Sequence, residues 1–174
     1  MKVFIIADTH CGHENIIKYC NRPFQSVEEM NRVILNNWNN TVSKHDLVIH
    51  LGDLYLGKKA AAREFLKKLN GRKILIMGNH DHWSEAFYRE CGFETVSRFP
   101  IVYNNFFLMS HAPLQLSETT PYFNCYGHVH NDEKYQDTAT SQCFSVERIN
   151  YTPYLLFDTE ASQEENDEYN TNNT

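Results

Sequence analysis

No apolar run in this chain of 174 residues approaches the roughly 18 residues that cross a bilayer, so no membrane-spanning helix is expected. The start, Met1-Lys2-Val3-Phe4-Ile5-Ile6, enters a strand pattern without a small-residue cleavage site, and no signal peptide is read there. Cys11, Cys20, Cys91, Cys125 and Cys143 are odd in number and lack any paired short spacing. Neither a disulfide framework nor a zinc ribbon follows from them, and reduced thiols in a cytoplasm are the simpler reading. Internal repeats, linkers and coiled-coil heptads are also missing. Positive charge is scarce: 16 Lys and Arg stand against 22 Asp and Glu, a formal charge of −6. Residues 159–174 hold Glu160, Glu164, Glu165, Asp167 and Glu168 with no Lys or Arg, leaving −1 for the rest. A near-neutral body with an acidic tail argues against a protein that tracks long nucleic acid electrostatically. Small phosphate substrates stay open, because bound divalent cations reverse the sign inside a site whatever the whole chain sums to.

What remains is the composition of one soluble domain, residues 1–158, followed by a tail with too few apolar residues to pack, read as disordered. Apolar runs at Val3–Ala7, 46–51 and 73–77 read as buried strands, separated by helical patterns. Asn15–Cys20 is a short helix. Ser26 with Glu29 forms a capping box ahead of Val27, Met30, Val33, Ile34 and Trp38 at helical spacing. Lys58–Leu69 is a third helix ending before Gly71, and Ser84 caps a fourth reaching about Cys91. The pattern then turns strand-rich: 94–99, 101–103, 106–110, 123–126, 142–149 and 154–157, with Asn104-Asn105 as a hairpin turn. This order predicts an α/β fold of two stacked mixed sheets with helices outside.

Five short polar signatures each follow one of these strands: Asp8-Thr9-His10, Gly52-Asp53, Gly78-Asn79-His80-Asp81, Ser110-His111 and Gly127-His128-Val129-His130. A strand end is a stiff place from which to aim a ligand. Asp8 and His10 share a two-residue spacing that places both on one face of a strand, as do His128 and His130. Asp53 offers a carboxylate able to bridge two cations, Asn79 an amide oxygen, and His111 a further imidazole. Any one histidine is better read as a core or surface residue. The whole set is not, because buried carboxylates at strand ends without a cation would leave costly unpaired charge. A nitrogen and oxygen shell without thiolate suits Mn, Fe, Zn, Ni or Co, with two Mn²⁺ ions the first candidate.

In these five signatures, taken in order over residues 3–130, the chain resembles the calcineurin-like metallophosphoesterases. Gly12–Ile17 and Asn21-Arg22-Pro23-Phe24 are similar to the short bacterial and phage members without a cap domain. The resemblance implies a four-layer α/β/β/α fold. It implies one metal held by Asp8, His10, Asp53 and His130, and a second by Asp53, Asn79, His111 and His128, with Asp53 bridging. A hydroxide held between the ions would attack phosphorus in line, and His80 matches the family's catalytic histidine. Gly52-Asp53-Leu54-Tyr55 lacks the longer form found in the protein phosphatases, which argues against a phosphoprotein substrate.

Asp81 either orients His80 or supports a metal ligand. Asn15 and Arg22 are the candidates for substrate contact, Arg22 through a forked hold on phosphate oxygens or, equally, as the partner of a surface carboxylate. His13 either faces the site or caps the helix after it. His45, His50 and His82 are read as structural, and Tyr122, Phe123 and Tyr126 as core rather than a base-stacking platform. The expected activity is hydrolysis of small or nucleotide-like phosphoesters, diesters ahead of monoesters. A non-catalytic metal-binding scaffold of the same fold is the alternative, and retention of His80 weighs against it. A DNA end-processing nuclease ranks last, since the chain has no basic groove and no capping domain.

Overall fold

The computed structural model describes residues 1–159, so the proposed acidic tail lies outside the described residues except for Thr159, whose N–H and Oγ1 donate to the Met1 carbonyl. Thirteen elements follow one another in it. Strands β1 (Lys2–Ile6), β2 (Leu47–His50), β3 (Arg72–Ile76) and β4 (Thr95–Ser97) run parallel, and β9 (Tyr154–Asp158) joins antiparallel to β1. The order across this sheet is β4-β3-β2-β1-β9. A second sheet is ordered β5 (Ile101–Tyr103), β6 (Phe107–Met109), β7 (Phe123–Tyr126) and β8 (Ser141–Cys143). Only its β5–β6 pair is antiparallel.

The two-residue period of the strands sorts the core into two layers. Val3 and Ile5 of β1 and Leu47 and Ile49 of β2 face the second sheet, packing with Met109, Cys125 and Phe144. Phe4, Ile6 and Val48 face the helices α1 (Asn15–Tyr19), α2 (Val27–Thr41), α3 (Lys59–Leu66) and α4 (Glu85–Glu90). Strands buried on both faces read as continuous apolar runs, which is why the parallel strands were legible. No helix follows β4 among the described residues, so the helices flank the first sheet.

Local chemistry sets the boundaries. Ser26 Oγ accepts the Glu29 N–H at 3.1 Å, while the Glu29 carboxylate reaches back to the Gln25 N–H rather than to Ser26. Ser84 caps α4 through the Phe87 N–H. Asn104 and Asn105 have φ of 49° and 54°, the two positive values that a type I′ hairpin requires. The strand expected over 142–149 stops at Cys143. Beyond it the backbone turns, with Arg148 N–H on Ser145 O and Tyr151 N–H on Val146 O. Ala7 N–H donates to the Phe144 carbonyl and Val146 N–H to the Ala7 carbonyl, stitching this segment to the end of β1. All five cysteines are buried with free thiols. No described helix is long and apolar enough to cross a membrane.

Candidate metal centre

Parallel strands place their carboxyl ends at one edge of a sheet, the usual place for a ligand in such folds. There the loops after β1, β2 and β3 meet the loops after β6 and β7. Two groups of donors converge. Asp8, His10 and His130 bring ligand atoms within 4.8 Å of one another, and Asp53, His111 and His128 do the same. The groups adjoin, since His10 Nε2 lies 3.4 Å from Asp53 Oδ2, within ion-pair range but without hydrogen-bond geometry. Asn79 Oδ1 lies 3.0 Å from His111 Nε2.

The backbone is bent to make this happen. Asp8, His10, Asp53, His128 and His130 all have φ between 47° and 70°. Asp and His enter the left-handed region more readily than most residues, yet each non-glycine there costs about 1–3 kcal/mol and such residues cluster at functional sites. Two glycines let the loops close. A Cβ on Gly127 would come within 2.6 Å of Asp8 Oδ2, and one on Gly78 would collide with Asp53 Oδ1. At Gly78 and Gly127 the glycine is therefore a space requirement of the neighbouring carboxylate.

The pattern of satisfied and unsatisfied atoms fits cations. Asp8 Oδ2 accepts the Ser145 hydroxyl at 2.6 Å and the His128 N–H at 2.7 Å, which leaves Oδ1 buried without a partner. Both ring nitrogens of His10 are buried and lack hydrogen bonds. His111 Nδ1 must carry the proton, because its partner at 2.8 Å is the Leu51 carbonyl, which only accepts. Its Nε2 then points a lone pair at Asn79 Oδ1, at Asp53 Oδ2 3.5 Å away and at His128 Nδ1 3.1 Å away. A divalent ion satisfies all of them, and the donors are nitrogen and oxygen without thiolate.

Charge follows the same logic. Burial pushes the Asp8 carboxyl up to about 6 and the His10 imidazole down to about 4. Burial would also raise Asp53, but the close approach of His10 and the charges of His111 and His10 outweigh it and hold the carboxyl well below its usual range. For His130 burial disfavours the cation, yet Cys20, Glu147 and Asp8 raise the ring to about 10.

Arg22, Asp81 and His50 work behind the donor groups. Arg22 is not at the substrate surface: its side chain is fully buried, Nη1 donates to Thr9 O, Nη2 to Asp8 O, and Nε to Glu147 Oε1. Its carboxylate partner is a buried one. Asp81 does not orient His80. It accepts the N–H groups of Asp53, Leu54 and Gly78 and the Tyr88 hydroxyl, so it anchors the loop that presents Asp53. His50 is structural and tied to the centre: Nδ1 accepts the Gly52 N–H at 3.1 Å, so Nε2 donates to Thr9 Oγ1 at 3.1 Å. Glu147 was not anticipated. Its Oε1 accepts His130 Nδ1 at 3.0 Å, and burial is outweighed by His130 and Arg22, which bring its carboxyl down to about 2. No sequence signal marks it, since it lies 17 residues past His130 and 125 past Arg22.

The remaining candidates divide between the surface and the core. His80 is exposed, with its ring 5.3 Å from that of His10 and its N–H donating to Asp53 Oδ1 at 2.8 Å. Asn15 is exposed at the start of α1. His13 lies 5.7 Å from His10, centroid to centroid, and caps nothing through its side chain. Cys20 also brings its sulfur within 4.8 Å of His130 and Glu147 donor atoms, but the Arg22 guanidinium already occupies Glu147 and would repel an ion there. Phe123 is core, packed between the sheets, and Tyr126 is buried, while Tyr122 is partly exposed.

Comparison with known proteins agrees with this geometry. The model of the calcineurin-like phosphoesterase family matches residues 1–169. An uncharacterised protein of Methanocaldococcus jannaschii is 42% identical over 165 residues, covering 89% of this chain and 87% of its own. Among solved structures, a protein of unknown function from Aquifex aeolicus superimposes with a TM-score of 0.68 at 27% identity, covering 88% of this chain and 94% of its own. A nuclease of Pseudomonas putida superimposes with a TM-score of 0.50 at 24% identity, over 74% of this chain and 61% of its own, a likeness of fold.

Proposed function

Because this chain belongs to the calcineurin-like phosphoesterase family and is a phosphoric ester hydrolase, we propose that it is a two-metal hydrolase of small phosphodiesters, including nucleotide-like ones. The observation that supports this reading is the convergence of ligand-type atoms: His111 Nε2, Asn79 Oδ1, Asp53 Oδ2 and His128 Nδ1 on one side, and on the other Asp8 Oδ1 and the His10 ring nitrogens, which are buried without hydrogen-bond partners. Asp8, His10 and His130 would hold one ion, Asn79, His111 and His128 the other, and Asp53 would serve both. Manganese is the first ion to test, and iron, zinc, nickel and cobalt also suit a nitrogen and oxygen donor set. When bound, such ions make water acidic enough to ionise near neutral pH and neutralise the charge that grows on the phosphoryl oxygens.

The chain's own groups supply the rest. His80 is free to meet a substrate, and the bond from its N–H to Asp53 fixes its backbone against the centre. We assign it the proton that the leaving oxygen needs, a contribution of about 10²–10⁴-fold. Asn15 is retained as a substrate contact at the rim. The preference for diesters rests on charge. The arginines that touch ligand residues are both engaged by protein acceptors: Arg22 as described, and Arg148 by the carbonyls of His130 and Asp132. A monoester dianion would therefore find no free guanidinium beside the ions, whereas a diester carries one negative charge fewer.

The test is turnover of bis-p-nitrophenyl phosphate against p-nitrophenyl phosphate by protein reloaded with Mn²⁺, with metal counted per chain. Two ions and faster diester turnover are expected. Two tightly bound ions with no hydrolysis of either would instead favour the scaffold reading.

A further inference from the structure

The Arg22–Glu147 pair is costly to bury, and neither residue reaches the surface of the site. Both side chains are nearly or fully inaccessible, and burying an ion pair rarely stabilises a fold as much as apolar residues of the same volume would. Its geometry shows where it acts. One oxygen, Glu147 Oε1, takes Arg22 Nε at 2.9 Å, Arg22 Nη2 at 2.7 Å and His130 Nδ1 at 3.0 Å. The same guanidinium holds the carbonyls of Thr9 at 2.9 Å and Asp8 at 2.7 Å. Arg22 therefore fixes, from behind, the backbone that carries Asp8 and His10, and through Glu147 it fixes the ring of His130. Those three residues form one donor group.

We propose that Arg22 and Glu147 are positioning residues for one of the two metal sites, a relay that sets the distance between the Asp8–His10 loop and His130 and selects the His130 tautomer. A carboxylate on Nδ1 keeps the proton there, which leaves Nε2 with its lone pair for an ion. The second group is built differently: His111 gives Nδ1 to the Leu51 carbonyl at 2.8 Å, and the nearest carboxylate oxygen to that nitrogen, Asp8 Oδ1, lies 4.0 Å away, beyond hydrogen-bond range. The relay thus distinguishes the two sites. Removing it weakens the Asp8–His10–His130 site and spares the Asp53–His111–His128 site, to the extent that each can hold an ion alone. The inference rests on the two-metal reading above.

The experiment is calorimetric titration of the metal-free full-length protein with Mn²⁺, alongside Glu147→Ala, Glu147→Gln and Arg22→Lys, with thermal melts to establish folding. Wild type should take up two ions. Glu147→Ala should bind one as wild type does and the other about 10–100-fold more weakly, the usual effect of removing an outer partner of a ligating histidine. Glu147→Gln should fall between, because its amide oxygen can still accept from Nδ1. Arg22→Lys should resemble Glu147→Gln, since an ammonium cannot hold both carbonyls and the carboxylate in one plane. Two wild-type affinities in a folded Glu147→Ala, or equal weakening of both sites, would overturn the relay. Should Glu147→Ala not fold, unchanged affinities in Glu147→Gln would overturn it equally. A wild type that binds fewer than two ions would overturn the two-metal reading beneath it, a distinct result.

Discussion

Asp81 Oδ2 accepts the backbone N–H of Asp53 at 2.7 Å, and its other oxygen accepts that of the next residue, so one buried carboxylate holds the loop on which the shared ligand stands. With the Gly78 N–H also on Oδ2, three amides from two strand ends depend on it. Replacing Asp81 by Ala should strand them in the interior at about 1–3 kcal/mol for each amide that water cannot reach. The expected result is a fall in urea midpoint together with weaker metal binding. A variant as stable as wild type would show that water takes over the three bonds.

His80 stands outside both donor groups and meets Asp53 only through its backbone. His80→Ala should therefore retain both ions and slow diester turnover by about 10²–10⁴-fold. Metal counting and steady-state rates on the same preparation check this. Loss of an ion in that variant would refute the separation of roles.

Asp53 adjoins both groups, in one directly and in the other through the 3.4 Å approach to His10. Asp53→Asn should lower occupancy at both sites, and selective loss of one ion would show that it does not serve the pair. Stripping the wild-type protein with a chelator should likewise lower its melting temperature. An ion at 100 times its Kd contributes about 2.7 kcal/mol, or about 5–10 °C for a chain of this size.

His50 predicts a pH dependence in the metal-free protein. Burial pushes its pKa down to about 3 from the usual 6.5. Between those values the unfolded chain binds a proton that the native state refuses, so stability is present above pH 6.5 and is lost as pH falls towards 3. One such group gives a slope of at most about 1.4 kcal/mol per pH unit. His10, down to about 4, acts in the same direction, and Asp8, up to about 6, in the opposite one. The contribution of His50 is thus isolated by comparing wild type with His50→Gln, whose slope in urea titrations between pH 6.5 and 4.5 should be shallower. Equal slopes would mean that His50 is protonated in the native state.

The sequence was readable where chemistry is local. Buried parallel strands announce themselves as apolar runs, Ser26 marks a helix start, and Asp, His and Asn at successive strand ends mark the donors that converge. Residues that support those ligands were opaque. Arg22 carries the chemistry of a phosphate clamp, and only the arrival of Glu147 from the far end of the chain turns it into an internal brace. Asp81 follows His80 in sequence but serves the backbone beside Asp53, 28 residues earlier. Glu147 sat inside a run that read as a strand, and the positive φ at Asn150 and Tyr151 that ends the run has no glycine to announce it. The error has one physical source: these contacts are set by which loops become neighbours, and pattern reading sees only neighbours in the chain.

The stitching of the segment after β8 onto the end of β1 has a consequence for biosynthesis. Ser145 and Glu147, the side chains that fix Asp8 and His130, are among the last of the described residues to be made, and β9 must still close against β1. A nascent chain holds most of its donor groups early but cannot lock them until the segment after β8 has emerged. A product truncated before Ser145 is left with histidines and carboxylates that have no fixed cage.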